Sequence, residues 1–142
     1  MQEIVINKCH GGFGLSIEAT KAYWLRKDIK CYAWIDDSTA ERYKVKNLDE
    51  LLKLKKQLPY VHFTTVPKEE FEIKDNKRGQ RLSTRSMERS DKDLIEVIKL
   101  FGKKANGTYA DLNIIEIPDN VKYVIEEYDG AEWIAEKHKT WS

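Results

Sequence analysis

The chain reads as an α+β protein: a mostly antiparallel sheet carrying about three helices, with a β-hairpin at the C-terminal end. Three observations predict this. Runs rich in β-branched and aromatic residues, at 3–9, 30–35, 60–66 and 108–117, alternate with segments of helical leucine and isoleucine spacing. The order is strand, helix, strand, helix, strand, a charged segment, helix and three strands, which is not the regular βαβ repeat of a parallel sheet. An Asp129-Gly130 pair also stands between two apolar runs, and Asp-Gly is what a two-residue hairpin turn favours.

Each element follows from its residues. Ile4-Val5-Ile6 centres the first strand, over 3–9. Ser16 is an N-cap, and the helix over 17–27 offers Ile17, Tyr23, Trp24 and Leu25 to the core. Lys30 to Ile35 is a second strand, ended by Asp36-Asp37-Ser38. Asn47 with Glu50 forms a capping-box pattern, and Leu48, Leu51, Leu52, Leu54 and Leu58 continue a helix that Pro59 stops. Tyr60 to Val66 is a third strand. Over 67–89 Phe71 and Ile73 alternate with charges and Asn76-Lys77-Arg78-Gly79 signals a turn, so a protruding basic hairpin or a loop is expected. Ser90 with Asp93 opens a helix whose buried face is Leu94, Ile95, Val97, Ile98 and Phe101, and Asn106-Gly107 ends it. A strand over 108–117 stops at Pro118, and Lys122–Tyr128 and Ala131–His138 form the hairpin.

With 142 residues the expectation is one domain, 1–142. Hydrophobic residues are 41% and charged residues 35%, a water-soluble composition. No apolar run approaches the roughly 20 residues of a membrane helix. Polar Gln2, Glu3, Asn7 and Lys8 interrupt any signal-peptide core. Cys9 and Cys31 read as reduced thiols; with His10 they lack the paired spacing of a zinc site, so no metal and no cofactor are expected. Net charge is +1, yet residues 74–89 sum to +4 and residues 111–136 to −7. These segments can attract each other or separate partners.

Several residues can carry chemistry. His10-Gly11-Gly12-Phe13-Gly14-Leu15-Ser16 lies between a strand and a helix start. Such a turn either cradles an anion or small ligand on its free N–H groups or is a tight turn and no more. The basic segment, with Lys77, Arg78, Arg81 and Arg85, can meet the phosphates of nucleic acid, although it lacks the aromatic interleaving of a base-stacking surface. Trp133, Trp141, Tyr123 and Tyr128 gather near the C-terminus, either as cross-strand packing pairs or as an exposed aromatic patch for a partner. No Walker loop, dinucleotide fingerprint or paired cysteine motif is present.

Two triplets, His62-Phe63-Thr64 and His138-Lys139-Thr140, place a His and a Thr on one face of an extended segment. Together they resemble the paired His-x-Ser/Thr motifs of the two-histidine phosphoesterase superfamily. That resemblance implies one imidazole as general base and one as general acid across a phosphodiester, with Thr64 and Thr140 holding phosphate oxygens. The second triplet departs from the pattern, since it sits among Lys137 and Lys139 rather than apolar neighbours.

A second resemblance covers roughly residues 1–18 and 88–142. Ile4-Val5-Ile6-Asn7-Lys8-Cys9 with Gly11-Gly12-Phe13-Gly14-Leu15-Ser16 is its first part. The rest comprises Leu94-Ile95-Glu96-Val97, Ala105-Asn106-Gly107, Ile115-Glu116-Ile117-Pro118, Tyr128-Asp129-Gly130-Ala131-Glu132-Trp133-Ile134-Ala135-Glu136 and His138-Lys139-Thr140-Trp141. These segments are similar to a group of small proteins of tailed bacteriophages and prophages. The resemblance implies no reaction. It implies a virus-encoded protein in the cytoplasm of the infected bacterial host, where such proteins antagonise host defence or redirect a host protein. The expected function is therefore binding of a host protein or a nucleotide-like ligand through His10, Gly11, Gly12, Gly14 and Ser16, without membrane contact. The alternatives are the phosphodiesterase and a virion assembly protein.

Overall fold

The computed structural model describes residues 1–45, 48–53, 61–73, 81–84 and 87–137. It is α+β, with small antiparallel sheets and a C-terminal hairpin. The chain divides into two compact units: Met1–Tyr23 with Met87–Ser142, and the continuous segment Trp24–Ser86 between them in sequence.

In the first unit, β1 (Gln2–Asn7) pairs antiparallel with β4 (Leu112–Ile117), from Gln2 opposite Ile117 to Asn7 opposite Leu112. Ile4, Val5, Ile6 and Asn7 are all buried. The other edge of β1 is also used. The Val5 N–H donates to the Arg89 carbonyl at 2.8 Å and the Asn7 N–H to the Glu132 carboxylate at 2.8 Å, so that edge is covered at these two residues. α5 (Lys92–Phe101) buries Leu94, Ile95, Val97 and Ile98, the face its spacing dictates. Its cap is Asp91, one residue beyond Ser90, which accepts from the Asp93 N–H. A 3-10 turn, Gly102–Ala105, carries the chain on to Asn106. β5 (Tyr123–Tyr128) and β6 (Ala131–Glu136) form the hairpin, with positive φ at both Asp129 and Gly130, as a type I′ turn requires.

α1 (Ile17–Arg26) starts where Ser16 Oγ accepts from the Ala19 N–H. It buries Ala19, Thr20 and Tyr23. Leu25, expected in the core, is exposed. Two residues along a helix turn about 200°, which puts Leu25 opposite Tyr23.

In the second unit, β2 (Tyr32–Trp34) pairs antiparallel with β3 (His62–Thr64). Ile35, Val45 and Leu51 form a core joined by Ala40, Tyr43, Leu48 and Val61. Two helices here were not legible in the sequence. Asp36 does end the strand, yet it also caps α2 (Asp37–Tyr43), and Lys44 closes that helix in the left-handed conformation. α4 (Lys68–Ile73) replaces the alternating segment expected around Phe71. It begins where the Pro67 carbonyl accepts from Phe71 N–H, with Glu69 and Glu70 in its first turn, where they suit the positive end of the helix dipole. α3 is described over Leu48–Leu52. Asn47, Leu54, Leu58 and Pro59 lie outside the described residues.

Candidate functional site

At Gly11 the glycine-rich turn packs against the protein's own backbone. A Cβ on Gly11 would stand 1.9 Å from the Tyr109 carbonyl oxygen, so only glycine allows that approach. Gly12 has φ +91 and faces open space, as Gly14 does. The Gly14 carbonyl accepts from the Gly107 N–H at 2.8 Å. Ser16 is occupied at the start of α1, and its N–H donates to the Ala105 carbonyl at 2.8 Å. His10 is exposed, with Nδ1 3.3 Å from the Asp129 carbonyl oxygen. The facing hairpin turn is equally close: a Cβ on Gly130 would come within 2.4 Å of the His10 carbonyl oxygen. The Ser16 N–H that a ligand would need is thus engaged internally, and Gly11 stands against Tyr109, which favours the tight-turn reading of this loop.

Beneath it lies a polar network that local spacing could not disclose. Glu132 is buried and accepts from Asn7 N–H, from Arg89 Nη1 at 2.6 Å and from Arg89 Nη2 at 2.9 Å. The Arg89 guanidinium lies 3.7 Å from the centre of the Phe13 ring. The Asn7 side chain donates to the Cys9 and Gly130 carbonyls and accepts from the Asp111 N–H. This bidentate pair ties β1, β6 and the entry to α5 together, with the charge compensated inside the fold. The only signal in the sequence is an Asn directly after Ile4-Val5-Ile6.

His62 and Thr64 do share a face in the second unit, as the triplet predicts. The face is closed by Trp34. Its ring stacks on His62 with centroids 4.3 Å apart, and its indole N–H donates to Thr64 Oγ1 at 3.0 Å. Thr64 is fully buried, and its hydroxyl donates to the Val66 carbonyl at 2.6 Å. His62 Nε2 stands 3.7 Å from Asp36 Oδ2. The Ser38 hydroxyl and then the Thr39 N–H hold the Asp36 carboxyl at about 2, below its ordinary value. A threonine so placed has no hydroxyl to offer a phosphate. His138 and Thr140 lie outside the described residues, as do Lys77, Arg78 and Arg85. Arg81 is exposed, pairs with Thr64 as an isolated bridge and lies over the Phe71 ring at 5.6 Å.

The hairpin has two unlike faces. Val124, Glu126 and Tyr128 of β5 share one face with Ala131, Trp133 and Ala135 of β6, by the register that sets Glu126 opposite Trp133. On this face Val124, Trp133 and Tyr128 are 38%, 45% and 74% exposed. The opposite face carries half-buried Tyr123, Ile125 and Ile134 and buried Glu132. The Trp133 indole N–H donates to Glu126 Oε2 at 3.1 Å, which fixes ring and carboxylate side by side. Trp141 lies outside the described residues. Among the described residues no group of His, Cys, Asp and Glu could hold a metal ion, and no helix is long and apolar enough to cross a membrane.

No family model, no curated protein and no solved structure matches the chain.

Proposed function

We propose that this is a phage-encoded accessory protein that acts in the cytoplasm of an infected bacterial host by binding a host protein, in its most concrete form as a counter-defence protein. One observation carries the binding reading: Val124, Tyr128 and Trp133 stand exposed together on one face of a two-stranded hairpin. Large aromatic side chains exposed side by side are what protein interfaces use as anchors. Phage origin is supported only by the resemblance of residues 1–18 and 88–142.

A nucleotide-like ligand at the glycine turn is the weaker version, since Gly11 and Ser16 are packed against Tyr109 and Ala105. The two-histidine phosphodiesterase is weaker still, because the Thr64 hydroxyl is buried and engaged.

The test is affinity capture from host lysate with the wild-type chain and with Tyr128→Ala/Trp133→Ala. A host protein retained by the first and lost with the second supports the reading, provided circular dichroism shows the variant folded. Identical captures would sink it. Parallel thermal-shift and turnover assays with cyclic nucleotides and short RNA address the alternatives: a nucleotide-dependent rise in Tm or cleavage would replace it.

A further inference from the structure

We infer that the outer face of the β5–β6 hairpin receives an arginine-bearing cationic segment of the partner protein, an inference that rests on the binding reading above. Charge around the hairpin and shape on that face carry it, with Glu126 the strand carboxylate that shares the face with Tyr128 and Trp133. From Tyr123 to Glu136 the chain holds five carboxylates and no Lys or Arg. Glu132 alone is compensated, by Arg89. Among the described residues no cation forms an ion pair with Glu126, Glu127, Asp129 or Glu136, all of them exposed. An unbalanced field of this sign attracts a basic partner and repels nucleic acid.

The aromatic rings decide which cation. Glu126 lies directly across from Trp133, and Tyr128 follows two residues along the same face, roughly 7 Å away by strand geometry. The residues opposite Tyr128 and Val124 are Ala131 and Ala135. These small partners leave the flanks of the two rings open. A guanidinium stacked on an indole or phenol reaches the neighbouring carboxylate within that spacing, and its planar fork can take both contacts at once. A lysine ammonium, compact and strongly hydrated, fits one contact less well.

The experiment uses the full chain and a fluorescein-labelled peptide of alternating arginine and alanine, followed by anisotropy at low and physiological salt. Binding is expected, weakening with salt. Trp133→Ala and Tyr128→Ala should each weaken it by about tenfold or more. Glu126→Gln alone, on that face, should weaken it similarly, and Glu126→Gln/Glu127→Gln/Glu136→Gln should also flatten the salt dependence by removing the field around it. The control Glu18→Gln/Glu69→Gln/Glu96→Gln, which removes as many charges elsewhere, should change affinity by no more than about twofold. A lysine–alanine peptide should bind more weakly than its arginine counterpart. Equal loss in both Gln triples would reduce the effect to overall charge and overturn the inference, as would no binding. So would self-association in sedimentation equilibrium that Trp133→Ala abolishes, because the occupant would then be a second copy of this chain. Host capture that needs Trp133 but tolerates the Glu126 triple leaves the binding reading standing and removes the arginine. Capture that ignores Trp133 removes the reading itself.

Discussion

Glu132 and Arg89 show how much one long-range pair can carry. The carboxylate is buried and receives three donors, one from the backbone of β1 and two from the guanidinium. Removing the cation leaves a buried negative charge with a single N–H, so Arg89→Ala should destabilise by about 3–5 kcal/mol in urea denaturation. Arg89→Met/Glu132→Gln removes the charge from both sides and keeps an acceptor for Asn7, and should recover more than half of that loss. Equal losses in the two variants would mean that lost packing, not the orphaned charge, dominates. The glycines give a second, sharper contrast. Gly130→Ala forces a side chain onto φ +89 and into the His10 carbonyl, and should cost about 2–4 kcal/mol. Gly14→Ala meets open space at an ordinary φ and should stay within about 0.5 kcal/mol. If Gly14→Ala proves the more damaging by thermal melting, the internal-packing account of this turn fails. Sequence spacing named these glycines but not their reason, because the groups that crowd Gly11 and Gly130, Tyr109 and His10, are about a hundred residues away.

At the scale of elements, legibility followed length and pattern. β1, α5 and the hairpin each carry a full apolar stripe or a decisive turn pair, α1 carries the Ser16 cap, and each formed within a few residues of its expected bounds. α2 and α4 have seven and six residues, too few for a 3.6-residue period to declare itself, and α2 buries none of its residues. Besides the packing of Ala40 and Tyr43, its stability lies at its ends. Asp36 Oδ1 accepts from the Thr39 N–H and the Ser38 hydroxyl, each within 2.8 Å, which lowers its pKa to about 2. A carboxylate whose folded pKa lies below its unfolded value stabilises the folded state above the unfolded pKa, about 3.9. That contribution is lost as pH falls from there through about 2. The Tm of wild type should therefore exceed that of Asp36→Asn at pH 5, and the gap should close between about pH 4 and pH 2. A gap independent of pH would assign the cap to hydrogen-bond geometry that asparagine cannot match, and not to charge.

For the whole molecule, the chain divides into a first unit, Met1–Tyr23 with Met87–Ser142, and a second, Trp24–Ser86. The length of 142 residues points to one domain, and neither length nor charge marks the borders of the two compact units. The first unit holds its own core in Ile4, Val5, Ala19, Leu94, Val97 and Ala105, as well as the Arg89–Glu132 pair. Its two segments are 23 and 56 residues long, and a chain of about 80 residues can fold unaided. The ends that the second unit connects are held by a bond inside the first: the Tyr23 hydroxyl donates to Asp91 Oδ2 at 2.8 Å. Replacing residues 28–86 by about eight Gly/Ser residues keeps α1 whole and spans roughly 15 Å. It also puts glycine where Asp28 has φ 61, a position that favours it. The shortened protein should unfold in one cooperative transition, retain near-ultraviolet dichroism and bind the arginine peptide as the full chain does. A collapsed product without fixed tertiary signals would mean that the two units fold only as one. An excised protein that is folded but no longer binds would move part of the contact surface into residues 28–86 and away from the hairpin.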